Sequence, residues 1–186
     1  MVHHYEIKSE ELQLRPLTEG DIESLRCWRN DPAMTKYLTK LPYITPQMQA
    51  AWFQRYQEDE SEITLAIDCI AGGMSEFIGT VSLSAVGENR VECGRLMIGH
   101  TGYKGRGFGR KSIALCLSIA FDQMGVEACE AHANPENAPS FVSFVNEGFQ
   151  IRGSRPFGND GFEYGLELTQ ERYRLLNRRN DHAQHE

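Results

Sequence analysis

Between Lys104 and Lys111 the sequence reads Lys-Gly-Arg-Gly-Phe-Gly-Arg-Lys, four cations interleaved with Gly105, Gly107 and Gly109. Glycine lets a backbone approach a ligand closely, and a turn that opens a helix aims unpaired N–H groups and the positive dipole end at one point. The ligand that suits such a point is a phosphate. Two common phosphate-binding signatures do not fit: a Walker loop needs Gly-Lys-Ser/Thr, but Arg110 precedes Lys111-Ser112, and a dinucleotide fingerprint needs glycine at position 110. The plain alternative is a glycine turn with solvated basic residues.

Other residues able to do chemistry lie on either side. Glu92 precedes the turn on the same apolar-rich stretch and can take a proton, directly or through water. Glu130 and His132 alternate on a later stretch and so share one face. Each has a structural counterpart: a solvent-facing or arginine-paired glutamate, and a hydrogen-bonded histidine. The five cysteines, Cys27, Cys69, Cys93, Cys116 and Cys129, are odd in number, scattered and without CxxC spacing, so they read as reduced core thiols rather than metal ligands. No metal is expected.

The elements that must position these groups follow from periodicity. Leu12 to Leu17 alternates like a half-buried strand, and Thr18-x-x-Asp21 is a capping box for a helix with Ile22, Leu25 and Trp28 on one side. Asp31-Pro32 interrupts it before a short segment with Met34, Tyr37 and Leu38. Thr45-Pro46 starts a helix whose inner face is read as Met48, Trp52 and Tyr56. Ile63 to Asp68 and Phe77 to Leu83 are strands of a hairpin turning at Ala71-Gly72-Gly73-Met74. A strand over Val91 to Ile98 enters the glycine turn, and Ile113, Leu117, Ala120, Phe121 and Met124 mark the helix leaving it. Beyond lie a strand from Ala128 to Ala133, a turn at Asn134 to Asn137, and a helix with Phe141, Phe144 and Val145 facing inward. That helix closes at Gly148 with Phe149 opening the next strand; Phe162 to Leu168 is a further strand, and a helix from Thr169 to Arg179 carries Tyr173 and Leu176. Residues 1–10 and 180–186 are expected to be peripheral or frayed.

The spacing of Lys104, Gly107 and Gly109, a basic residue, two arbitrary residues, then glycine, one residue, glycine, resembles the pyrophosphate motif of the GNAT superfamily of N-acetyltransferases. The order of elements from Leu12 to Thr169 resembles that family too. The resemblance implies an α/β (α+β) fold: a mixed, mainly antiparallel sheet of six or seven strands, flanked by four or five helices, with a splay between the central strands. It implies acetyl-CoA as donor, its diphosphate held by Lys104, Gly105, Arg106, Gly107, Phe108, Gly109 and Arg110. Main-chain groups of Met97, Ile98 and Gly99 would meet the pantetheine arm, with Phe144 beside it. Asn137 either reaches the same arm or simply caps its helix.

Within that resemblance the amine attacks the thioester directly, with Glu92 and His132 as base candidates. Many members carry a tyrosine acid seven residues beyond the position of Asn137, where this chain has Phe144. Ser140, Ser143, Tyr164 or water would then protonate the departing thiolate, a step whose loss slows the transfer without abolishing it. Trp28-Arg29-Asn30 ahead of Asp31-Pro32 resembles a branch that acetylates amino sugars on nucleotide carriers, and related sequences acetylate ribosomal-protein N-termini. The acceptor region spans Trp28 to Tyr43 and Arg155 to Glu163. A non-catalytic acyl-CoA-binding module and an ATP- or NAD-using enzyme are the rival readings.

At 186 residues, 40% hydrophobic and 24% charged, the chain has the length and composition of a single globular domain. Its net charge of −7 argues against a general nucleic-acid binder and favours a cationic acceptor. No apolar run is long enough for a membrane span, and the N-terminus lacks a signal-like apolar centre. Expected partners are therefore a small-molecule or peptide amine, with no nucleic acid and no membrane; a cytoplasmic location and a homodimer complete the expectation.

Overall fold

The structure, a computed structural model, describes residues 3–38, 41–158 and 161–183. Of the expected acceptor segments, Thr39, Lys40, Asn159 and Asp160 fall outside those residues, as does the tail from Gln184 to Glu186.

Eight strands form one sheet in the order β1-β2-β3-β4-β5-β6-β8-β7. They are β1 (Ile7–Lys8), β2 (Leu12–Pro16), β3 (Glu62–Ala71), β4 (Met74–Gly87), β5 (Arg90–Ile98), β6 (Ala128–Ala133), β7 (Gln150–Phe157) and β8 (Gly161–Thr169). The helices are α1 (Ile22–Asn30), α2 (Pro32–Thr35), α3 (Pro46–Tyr56), α4 (Phe108–Ser118), α5 (Ala138–Asn146) and α6 (Gln170–Ala183). Every strand pairing is antiparallel except that of β5 with β6. This is the expected mixed sheet, enlarged by the two-residue β1 and the single-turn α2.

Side-chain alternation divides the core between the two faces of the sheet. One face carries Leu12, Leu14, Leu65, Ile67, Val81 and Cys93 against Ile113, Cys116 and Leu117 of α4. The other carries Ala66 and Met97 beneath Leu25 of α1 and Phe53 and Tyr56 of α3. Two expectations change here. The inner stripe of α3 runs through Gln49, Phe53 and Tyr56, while Met48 is 47% exposed, because the helix rests one residue further round than its most apolar line. Val145 also faces outward, at 41% exposure, since Phe144 beside it fills the core position of α5. The helix expected to reach Met124 passes after Ser118 into a π-turn, Ile119–Gln123, which keeps Phe121 inside and stacked on Tyr173 at 4.6 Å.

One buried ionic cluster fastens α1 to the sheet. Arg15 on β2 donates to both Asp21 oxygens at 2.7 and 2.9 Å and to both Asp68 oxygens at 2.7 and 3.0 Å. Asp21 also accepts the Thr18 N–H and hydroxyl, both at 2.8 Å, so the capping residues and the cluster share one carboxylate. Burial pushes the Asp21 pKa up, but the hydrogen bonds from Arg15 and Thr18 outweigh it and hold the carboxyl below its ordinary value. Replacing Arg15 by Met leaves two buried carboxylates unpaired, and the expected loss is about 3–5 kcal/mol in urea unfolding at pH 7. Because the Asp21 pKa is depressed in the folded chain, its contribution is complete above about pH 4 and fades as pH falls through the folded value. The gap between parent and Arg15→Met should therefore narrow toward pH 3; a gap constant with pH would show that Asp21 is not its source.

Candidate active site

β5 and β6 are paired only at Arg90 with Ala128, Val91 with Cys129, and Glu92 with Glu130. Beyond Glu92 the strands part, and the gap is the expected splay. On the far side β5 stays bonded to β4, with Thr80 opposite Met97 and Gly79 opposite Ile98. A methyl group at Gly79 would stand 2.1 Å from the Met97 carbonyl oxygen, and the Gly99 N–H donates to the Ile78 carbonyl at 2.9 Å. Successive residues of a strand direct their backbone groups to opposite edges. The Met97 carbonyl and the Gly99 amide are thus committed to β4, and of the expected trio Ile98 is the residue whose main chain faces the gap.

A bulge sets which side chains reach the two faces. Ser82 pairs with Gly94 and Thr80 with Met97, so Val81 alone opposes both Arg95 and Leu96. Arg95 takes the left-handed conformation, with φ 48°. The inserted residue moves the alternation by one: Glu92 and Gly94 precede it on the α1 face, and Met97 follows it there. The Glu92 carboxylate folds over Gly94, where a methyl group would lie 3.2 Å from Glu92 Oε1.

His132, two residues past the last β5–β6 pair, brings Nδ1 to 3.2 Å from Glu92 Oε2. The approach is too oblique for a hydrogen bond, which leaves the buried Nδ1 without a hydrogen-bond partner among the described residues. Glu130, on the same face of β6, is bound instead to Arg90 at 2.7 Å, and that arginine also holds Glu167 at 2.6 Å. The two base candidates therefore meet at the vertex of the splay, and Glu130 is a structural ion pair. Two hollows of about 260 Å³ contain neither residue.

The glycine turn lies beyond the C-terminal end of β5. Gly105 and Gly107 take φ 72° and 81°, a region costly for residues with a Cβ, and no atom lies within 4 Å of where either Cβ would be. Gly107 caps α4, and the Lys111 N–H donates to its carbonyl at 3.1 Å. The amides of Phe108, Gly109 and Arg110 precede the helical ladder and open toward the turn. The four cations divide in two. Arg110 is paired with Glu147 at 2.7 Å and Lys111 with Glu11, whereas Lys104 and Arg106 have no carboxylate partner among the described residues. Arg106 instead lies 5.4 Å from the ring centres of Tyr103 and Phe108. An open turn with free amides and two cations held by no carboxylate, Lys104 reaching only the Met34 sulfur and Arg106 the Gly102 carbonyl at 3.3 Å, fits a diphosphate.

On the other arm, Asn137 stands at the N-cap of α5, yet its side chain makes no capping bond. Ser140 is half-buried in the first turn and makes no side-chain hydrogen bond among the described residues, while the Ser143 hydroxyl is turned back to the Pro139 carbonyl at 2.7 Å. Phe144 is 2% exposed and meets Phe149 edge-on at 5.2 Å, so it belongs to the core and not to the wall of the gap. Trp28 lies 5.0 Å from the Phe77 ring and so close over Gly99 that a methyl group there would stand 2.0 Å from the indole. Asn30 grips the Ile44 backbone with both ends of its amide at 2.8 Å, pinning the chain ahead of α3. Of the three expected acceptor residues, Arg29 alone is left without a packing or capping duty. The Arg95–Glu62 pair beside it escaped the sequence reading, because nothing local announces the bulge that brings Arg95 there.

The chain is 26% identical over 149 residues to an uncharacterized N-acetyltransferase p20 of Bacillus licheniformis, covering 78% of this chain and 82% of that protein. It is 26% identical over 139 residues to the protein MJ1062 of Methanocaldococcus jannaschii, covering 74% of this chain but only 28% of that longer protein. The crystal structure of a spermidine N-acetyltransferase from Vibrio cholerae, in complex with CoA and spermine, shares the fold with a TM-score of 0.78 at 20% identity, over 89% of this chain and 99% of that one. The pattern of the acetyltransferase (GNAT) domain matches residues 11–150, and with the glycine turn and the splayed strands inside that span, the chain belongs to the GNAT family as an acetyl-CoA-dependent N-acetyltransferase.

Proposed function

We propose that the chain acetylates the primary amine of a small molecule, such as an amino sugar, by direct attack in a ternary complex, with Glu92 and His132 removing the amine's proton. The carrying observation is their 3.2 Å contact at the point where β5 and β6 part. Acetyl-CoA supplies the activated acetyl group when held along the gap. Lys104, Arg106 and the first amides of α4 hold its diphosphate, and the Ile98 main chain and Asn137 side chain orient its arm. Gly99 acts beneath the site as the surface on which Trp28 rests.

Deprotonating a lysine-like amine at pH 7 costs roughly 4–5 kcal/mol, against about 1 kcal/mol for a chain-terminal α-amine. A carboxylate touching an imidazole gives that proton a route away from the nitrogen. The hydroxyl of Ser140, free of hydrogen bonds to the described residues, is the group assigned the missing tyrosine's task of returning a proton to the departing thiolate. Acetylation of a protein N-terminus is the alternative; its low-pKa amine would lean less on Glu92.

Gly107→Asp keeps a residue type tolerated at positive φ but sets a carboxylate against the diphosphate, so coenzyme A affinity by calorimetry should fall at least about 100-fold in a folded variant. Unchanged affinity would place the cofactor elsewhere. Glu92→Gln should lower kcat/KM by about 100-fold or more for a high-pKa amine and by less than about tenfold for an α-amine. Equal losses on both would remove Glu92 from proton transfer.

A further inference from the structure

We propose that the acceptor carries an oxyanion, a carboxylate or phosphate, several bonds from its amine, and that Arg29 receives it; this rests on the transfer reading above. Ile22, Leu25 and Arg29 follow one another at helical spacing on α1, and Leu25 is buried against the sheet. Arg29 thus continues the sheet-facing stripe where an apolar residue would ordinarily sit. It is half-buried, and among the described residues no group accepts a hydrogen bond from it or pairs with it. Its one carboxylate neighbour is already committed: Glu62 Oε2 accepts Arg95 and Oε1 accepts the Thr64 hydroxyl at 3.1 Å. Burial and the nearby Arg95 guanidinium lower the Arg29 pKa, with Glu62 opposing them only in part. A guanidinium remains charged under such pressure, and its planar fork matches an oxyanion.

The position of this fork fits the acceptor. Glu62 pairs with Ser84 and Ser84 with Glu92, so Glu62, the carboxylate whose charge acts on Arg29, lies two strand spacings from Glu92 along the same face, about 10 Å between backbones. An amine at Glu92 and an oxyanion at Arg29 belong to one molecule of roughly the size of a phosphorylated amino sugar or an ω-amino carboxylate. A polyamine would bring a second cation toward Arg29 and Arg95, so this acceptor differs in charge from the spermine bound by the Vibrio enzyme.

Matched probes test this with the whole chain: glucosamine 6-phosphate against glucosamine, 6-aminohexanoate against hexylamine, and spermidine alone. KM is read by thiol release, and acceptor affinity by calorimetry on the coenzyme A complex. In at least one pair the anionic member should bind about tenfold or more tightly than its neutral partner, and the pair that responds distinguishes phosphate from carboxylate. Arg29→Met should collapse that ratio toward one and Arg29→Lys should restore part of it, with coenzyme A affinity reporting that each variant is folded. Equal affinity within both pairs, tightest binding of spermidine, or a ratio that survives Arg29→Met would overturn the proposal. Selective binding without turnover would sustain the Arg29 site while defeating the transfer reading.

Discussion

Two neighbouring strands that stop exchanging hydrogen bonds leave polar backbone groups without a ladder partner, and those groups must then bond to water or to a ligand. β5 and β6 do this after three paired residues. Their separation exposes the Ile98 main chain, ends one strand close to the turn that opens α4 and the other close to the N-terminus of α5, and puts Glu92 and His132 together at the last point of contact. A β5–β6 ladder continued to Ile98 would close the gap and remove every one of these features.

The bulge at Arg95 complements the splay. Without the added residue, Met97 would exchange faces with its neighbours, and α1 would lose the apolar side chain it rests on beside Leu25 and Ala66. Arg95 adopts an uncommon conformation to accommodate this, at a site where the local rule for a strand is broken. The bulge leaves Glu92 upstream, facing α1, while carrying the strand's downstream end to the glycine turn in the correct orientation.

Much of this was legible in residue order. Gly105 and Gly107 among cations announce an anion site because glycine takes the positive φ of the turn without the cost a Cβ brings, and the paired glycines at 72 and 73 do the same for the β3–β4 hairpin. The parts that escaped depend on contacts between distant segments. Glu92 and His132 are 40 positions apart in the chain and meet only through strand register, so each could be named alone but not as a pair. Apolarity pointed to Met48 on α3, yet the helix turns Gln49 inward, since the docking of a whole helix decides which line is buried. Arg110 belongs to the cation run in the sequence, yet Glu147, from the end of α5, holds it in the fold.

The seat of Trp28 on Gly99 has a mechanical meaning. Through the Trp28 indole, α1 lies directly on the backbone at Gly99, just past the strand end that leads into the glycine turn. Neither layer can shift without pressing on the other. A ligand that shifted α1 and one that shifted the glycine turn would act on this same contact, and reciprocity requires that whatever one did to the hold on the other be returned in equal measure.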